Sequence, residues 1–217
     1  MPKRLKRWSL ATVCILGAVF SAAGTWRDPW LWAYAMVWSA TTLYAMLSID
    51  EDLIKERFHP PTSGADPIAL GFVRVVALAH VLVGAADVGR WHLAPVAPGL
   101  RAFALVAMPL AFGLFYRAMR ENHFFSAVVR VQAERGHRVI DTGPYGIVRH
   151  PGYAGMILGA PFSGLALGSW LAAAIGLLLS AMMLRRVIFE DAFLRAHLEG
   201  YVAYTSRVRH RLIPGMW

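Results

Sequence analysis

Charge is scarce in this chain, and acid is scarcer than base. Asp, Glu, Lys and Arg make up 16% of its 217 residues, and 57% are hydrophobic. Soluble domains carry roughly 25% charge. The balance therefore excludes an ordinary water-soluble globule. Apolar runs of about 18 residues or more recur, which is the length a membrane-crossing helix needs. The predicted spans are 9–26, 30–48, 68–89 and 100–119, followed by a longer apolar stretch at 152–184. Cysteine is nearly missing: Cys14 stands alone in the first predicted span, so no internal disulfide can form. The eight histidines show no His-x-x-x-His spacing, and there is no Cys-x-x-Cys. No metal site is expected. Gly-x-Ser-x-Gly, a phosphate-binding Walker loop, internal repeats and low-complexity segments are absent too. One domain over 1–217 is the natural division at this length.

The base that is present has a consistent position. If the N-terminus is cytoplasmic and the first four spans alternate, eighteen of the 22 Lys and Arg fall inside. They include Lys3, Arg4, Lys6 and Arg7, then Lys55 and Arg57, six arginines between 117 and 149 and six between 185 and 211. Only Arg27, Arg90 and Arg101 fall outside, and Arg74 lies within a span. This is the positive-inside pattern, and it accounts for the net charge of +9 through topology and attraction to anionic lipid. Nucleic-acid binding is not expected, because no recognition motif accompanies the charge. Residues 1–26 mimic a cleavable leader, with a basic start, an apolar middle and Ser21-Ala22-Ala23-Gly24. The spans that follow at once favour a retained first helix.

Trp26-Arg27-Asp28-Pro29-Trp30 reads as a tight turn with interfacial aromatics. Residues 49–67 read as a polar connector, helical before Pro60-Pro61 and Ser63-Gly64. Arg74, His80 and Asp87 are ionisable groups in the third span, where such groups normally face the bundle interior. Val128–Gln132 and His137–Asp141 predict a small extended hairpin around Gly136, bringing Asn122, His123 and His137 towards Gly143-Pro144-Tyr145. The stretch 152–184 is interrupted by Pro161, Gly164 and Gly168-Ser169. Each half is about 15 residues, roughly 23 Å as helix, short of a hydrocarbon core of about 30 Å. It is expected to form a helical hairpin that returns to the cytoplasmic side, packed closely through Gly155, Gly159 and Gly164. Residues 185–207 predict an amphipathic helix, with Arg186/Glu190 and Asp191/Arg195 paired four apart and a break near Gly200.

The densest chemistry lies at Gly143-Pro144-Tyr145 and Arg149-His150-Pro151-Gly152-Tyr153, and again at Arg185-Arg186 and Glu190-Asp191. These clusters flank the predicted hairpin on one membrane side, so a returning chain brings them together. Cationic and hydroxyl donors on one wall and carboxylates on the other suit a zwitterionic ligand. Pro151 limits the preceding pair to extended geometry and starts the next helix. Read singly, the same residues also fit a basic flank, helix-surface ion pairs and an interfacial tyrosine belt.

Together with His137-x-Val139-Ile140 before them and Tyr201-x-x-Tyr204 and Pro214 after them, these motifs resemble the isoprenylcysteine carboxyl methyltransferase family, especially its bacterial members. The resemblance covers roughly 120–217; residues 1–116 share only the span pattern. It implies an all-α polytopic transmembrane bundle of about four spans, an intramembrane helical hairpin and a cytoplasmic amphipathic helix. It also implies that 117–217 bind S-adenosylmethionine through His137, Tyr145, Arg149, His150, Pro151, Tyr153, Glu190 and Asp191, with Arg186 and Glu190 at the transfer point. The family's usual Glu-Glu pair is Glu-Asp here. The implied acceptor is a lipophilic small molecule or lipidated substrate, most simply a carboxylate, in a bacterial inner membrane with N-terminus, active site and C-terminus cytoplasmic. Two alternatives share part of the pattern: a phospholipid or amine N-methyltransferase, and a membrane NADPH-dependent reductase related to sterol reductases.

Overall fold

The computed structural model describes residues 2–58, 60, 64, 65 and 67–217. Pro61 and Ser63 of the expected connector lie outside the described residues. The helices are α1 (Pro2–Ala23), α2 (Pro29–Ser48), α3 (Glu51–Phe58), α4 (Pro67–Ala86), α5 (Pro98–Glu121), α6 (Pro151–Leu167), α7 (Trp170–His197) and α8 (Tyr201–Arg207). Among the described residues, four segments are long and apolar enough to cross a membrane: Lys3–Ala23, Gly71–Trp91, Pro98–Glu121 and Trp170–His197. The tight turn after α1 forms as expected. Asp28 caps α2, accepting from the Trp30 and Leu31 amides at 2.7 and 3.2 Å.

The centre of the bundle is α5, α6 and α7, with α6 packed along both of the others. Gly155 and Gly164 permit that approach. A Cβ on Gly155 would come within 2.6 Å of the α5 backbone, and one on Gly164 within 2.2 Å of the Ala173 nitrogen on α7. The hairpin turns at Gly168-Ser169. Gly168 ends α6 in the left-handed region (φ 102°), and the Ser169 hydroxyl caps α7 by accepting from the Ala172 amide. The halves are unequal, at 17 and 28 residues, because α7 continues past 184 to His197, and Pro161 does not break α6. Proline removes the amide that would bond the Ile157 carbonyl, and the Ser180 hydroxyl of α7 donates to that carbonyl instead, at 2.7 Å.

The hairpin tip reaches the loop before α5: the Val96 amide donates to the Gly168 carbonyl at 3.0 Å and the Trp170 amide to Ala94 at 2.9 Å. Polar side chains serve the chain ends at this level. Arg101 donates to the Ala166 and Leu167 carbonyls that end α6, and Arg90 to Ser21 and Ala22 at the end of α1. Asp87, 1% exposed, accepts from the Leu93 and Ala94 amides and from the Ser169 hydroxyl. Asp87 and Arg90 are therefore anchors of helix ends.

His80 has a comparable role deeper in the bundle. One ring nitrogen lies 2.9 Å from the Ala172 carbonyl, so it carries the proton. In the neutral ring the other nitrogen must accept, here from the Ser163 hydroxyl at 3.1 Å. Ser163 oxygen then accepts from Tyr34, at 3.0 Å. The proton order Tyr34, Ser163, His80, Ala172 ties α2, α6, α4 and α7 through one satisfied chain.

Two expectations are corrected. Among the described residues there is no strand, so the hairpin at 128–141 does not form. Its valines are used elsewhere: Val131 and Val139 pack on Leu198, Tyr201 and Tyr204. The turn at Gly136 (φ 64°) survives as the end of a 3-10 turn, Ala133–Arg135. The second correction is the amphipathic helix at 185–207. Residues 185–197 continue α7 with Arg186 buried, and Gly200 (φ 77°) separates them from α8.

Ser163→Ala removes the middle of the polar chain. It is expected to lower stability by about 1 kcal/mol, the scale of an interhelical hydrogen bond in a membrane, read as a lower midpoint of thermal unfolding in detergent.

Candidate functional site

At the other end of the bundle, α5 stops at Glu121 and α6 starts at Pro151, and the intervening chain folds over the end of α7. The three-residue turn into the Gly143–Gly146 segment needs Gly143 at φ 54°, packed against the Glu121 side chain. Thr142 donates its hydroxyl to Glu121. The amides of residues 149 and 150 donate to the His210 and Arg211 carbonyls at 3.0 and 2.9 Å, with His150 at φ −127°, ψ 56° rather than in the expected extended region. That pairing draws the last residues of the chain against the start of α6.

Beneath this pairing lies Asp191. Its carboxylate accepts from Arg149 through two nitrogens at 2.8 and 3.2 Å, and from Tyr201 (3.1 Å), Arg195 (3.2 Å) and Arg211 (3.1 Å). His150 Nε2 lies 3.2 Å from the same group. Arg149 spends its remaining nitrogen on the Val208 and Arg209 carbonyls, at 2.8 and 2.7 Å. The group joins α6, α7, α8 and the tail around one carboxylate that is 1% exposed.

Beside this anchor is a partly open cleft between α3, α6, α7 and the segment 122–150. His137, Tyr145, Arg149, His150, Tyr153, Arg186 and Glu190 line it. Two of the expected binding residues do not. Pro151 is fully buried at the first position of α6, and Asp191 turns into the anchor, its oxygens already occupied. Asn122 lines the cleft as anticipated, whereas His123 faces a separate surface hollow with Asp50 and Glu51. Across the cleft, the Tyr153 hydroxyl donates to Glu190 Oε2 at 2.5 Å, linking the two arms of the hairpin. Arg186 is 5% exposed and donates to the Ala127 carbonyl. The Tyr145 phenol, bonded to Asn122, is pushed up by burial and stays neutral.

Much of the remaining wall is aromatic or aliphatic, including Phe124, Val139, Ile140, Leu194, Leu198, Tyr201 and Tyr204. His137 stacks on Phe124 with ring centroids 4.5 Å apart, and its Nδ1 accepts from the Gln132 amide at 3.2 Å. Burial first, then Arg130 and Arg135, lower the His137 pKa to about 4. The ring is thus neutral near pH 7, with its proton on Nε2. Arg57, from α3, also lines the cleft. Its place in the polar connector carried no motif, and only the folding of α3 onto residues 126–130 reveals it.

A model of the isoprenylcysteine carboxyl methyltransferase (ICMT) family matches residues 102–196, from the start of α5 to the last turn of α7. Two curated rice proteins, from Oryza sativa subsp. indica and subsp. japonica, are each named probable protein-S-isoprenylcysteine O-methyltransferase. Each is 32% identical over 90 residues, 41% of this chain and 47% of the rice protein. The chain spans about half the length of these relatives. A solved structure of the eukaryotic intramembrane Ras methyltransferase ICMT matches over 96% of this chain and 75% of that one, with a TM-score of 0.59 and 18% identity. The resemblance read from the motifs is borne out, and so is the all-helical fold of an integral membrane protein.

Asp191→Asn leaves Arg149 buried against a neutral partner. A loss of about 3–5 kcal/mol is expected, the cost of breaking a buried ion pair, visible as a large fall in the detergent unfolding midpoint. His137 gives a pH signature. Its folded pKa lies below the ordinary 6.5, so the unfolded chain takes the proton first. The stability it contributes is complete above about pH 6.5 and is lost as pH falls towards 4. His137→Asn keeps a hydrogen-bond acceptor but does not titrate, and should flatten that part of the stability–pH profile.

Proposed function

We propose that this protein is an integral membrane methyltransferase that uses S-adenosylmethionine to methylate a lipophilic carboxylate, in the manner named for the rice relatives. The observation that carries the reading is the Tyr153–Glu190 bridge at 2.5 Å. It sets a carboxylate, a phenol and the buried Arg186 on one cleft between the arms of an apolar hairpin. The donor set suits the cofactor. Glu190 can accept from an ammonium or ribose, and His137 Nε2 and His150 can meet polar edges. Phe124, Val139, Ile140, Leu194 and Leu198 offer an apolar slot for a planar base. Asp191, in this reading, binds nothing directly and holds Arg149 and His150 in place.

When bound, S-adenosylmethionine supplies an electrophilic methyl group, which leaves its sulfonium sulfur for an acceptor oxygen and releases a neutral thioether. An acceptor carboxylate is already ionised at neutral pH, so no side chain has to remove a proton. The chain's work is then positioning and exclusion of water. Arg186, held at the Ala127 carbonyl, can orient the acceptor oxygen through its guanidinium without being consumed. Glu190, fixed by Tyr153, orients the donor side. An amine acceptor would need Glu190 or His150 as a base, whereas a reductase would need a nicotinamide site in the same cleft.

In this reading the chain is one domain over 1–217. Residues 1–116 supply the supporting spans and 117–217 the cofactor-binding half. The N-terminus, cleft and tail lie on the cytoplasmic face of a bacterial inner membrane, the orientation the basic residues favour.

Isothermal titration in detergent tests the reading. S-Adenosylmethionine is expected to bind and NADPH is not. Glu190→Gln and Tyr153→Phe should each weaken binding about ten-fold, the loss of one charge-assisted hydrogen bond. Arg186→Gln should spare binding and slow transfer by roughly 10²–10³. Unaltered affinity in both of the first two variants would overturn the assignment.

A further inference from the structure

The cleft contains a cation that the motif-bearing half of the chain does not provide. Arg57 on α3 lines it together with Tyr153, Arg186 and Glu190. Its sequence neighbour fixes α3 in place: Glu56 accepts from Arg130 at 3.1 and 3.2 Å and from the Ser126 hydroxyl at 2.7 Å. Arg57 itself lies beside a pair of aromatic rings, its Cζ 5.6 Å from the centroids of both Phe115 and Phe125. One nitrogen donates to the Ser126 carbonyl at 3.3 Å, and another lies 3.9 Å from the Met156 sulfur.

These contacts hold the guanidinium in position and leave most of its five donors unspent. No carboxylate among the described residues is in ion-pair contact with it, whereas Arg130 and Arg149 have Glu56 and Asp191. The charges that act on Arg57 are those of Arg186, Glu190 and Arg74. This end of the cleft therefore sets the guanidinium groups of Arg57 and Arg186 near the Glu190 carboxylate, which is bonded to Tyr153. Cations held close together favour an anion between them. Next to them the wall is apolar. Val73, Met156 and Met183 line the cleft and belong to a cluster that continues along α4, α6 and α7.

We infer that Arg57 binds the acid group of the methyl acceptor, and that the acceptor is a lipophilic anion whose tail lies against Val73, Met156 and Met183. The inference rests on the methyltransferase reading for the identity of the acceptor as substrate. It assigns Arg57 a part in selecting the substrate. An acid gains the contact with Arg57, and a neutral or cationic lipid must leave the guanidinium desolvated without a partner.

The test uses the full chain purified in detergent. It is titrated with an N-acyl S-prenylcysteine and with a long-chain fatty acid, and with the carboxamide of each. Wild type is expected to bind at least one acid more tightly than its amide. Arg57→Gln should cut the affinity for that acid about 10- to 100-fold, the loss of a hydrogen-bonded charge contact. Affinity for the amide and for S-adenosylmethionine should stay within about two-fold, which also certifies the fold. Arg57→Lys should restore part of the acid affinity, since it returns the charge without the planar fork. Equal effects on acid and amide, no effect on either, or a wild type that prefers no acid over its amide would each overturn the inference. Failure of wild type to bind S-adenosylmethionine counts against the functional reading instead, and the acid-to-amide comparison still decides the role of Arg57.

Discussion

The buried Asp191 carboxylate is the constraint on which the rest of this end of the molecule depends. The segments that meet there have little else in common. Arg149 and His150 come from the turn into α6, Arg195 from the last turns of α7, Tyr201 from α8 and Arg211 from the tail. A buried ion pair is seldom a large net source of stability, because desolvation offsets the attraction. Its effect here is on which arrangement is allowed. Buried Arg149 has to face Asp191, and once it does, the backbone pairing of residues 149–150 with 210–211 follows.

The opposite end of the bundle answers a different need. The hairpin tip would expose carbonyls and amides at a depth where water is scarce, and each unpaired group is costly there. Arg101, Asp87 and Ser169 supply the missing partners, and Ser180 does the same for the carbonyl that Pro161 releases. With the tip held, α7 can run 28 residues without a break, about 42 Å as helix. That exceeds a hydrocarbon core of about 30 Å. The last turns, which bear Glu190 and Asp191, can therefore reach the boundary between lipid and water. In the proposed methyltransferase reading, a site built there would be open to a donor arriving from water and to an acceptor arriving along the bilayer.

Much of this was legible in the sequence because the signals were local. Pro151 marks a helix start and Gly168-Ser169 marks the turn, since both act on their own backbone, whereas His150 at ψ 56° does not keep the extended geometry expected before proline. The dense motifs at 143–153 and 185–191 supply Tyr145, Arg149, His150, Tyr153, Arg186 and Glu190 to the cleft wall for the same reason. What was not legible depends on tertiary packing. Val131 and Val139 have strand character, yet they found better burial against Leu198, Tyr201 and Tyr204 than in a hairpin. Arg57 sits in an unremarkable polar connector, and only the contact of Glu56 with Arg130 turns it towards the cleft. Pro161 read as a break because its rescue comes from Ser180, nineteen positions away on another helix.

The adjacent pair Glu190-Asp191 shows how finely the two needs are separated. Successive residues on a helix point about 100° apart, so both carboxylates cannot address one small ligand. Glu190 faces the cleft, where Tyr153 holds it, and Asp191 faces the anchor. Side-chain length fits each task. The longer Glu190 reaches across to α6. Asp191 sits within 3.2 Å of each of its donors in a pocket that is 1% exposed. One more methylene there would have no space to enter without pushing Arg149 or Tyr201 aside. The aspartate that departs from the family's usual glutamate is therefore matched to the anchor, and its shorter reach takes nothing from the cleft.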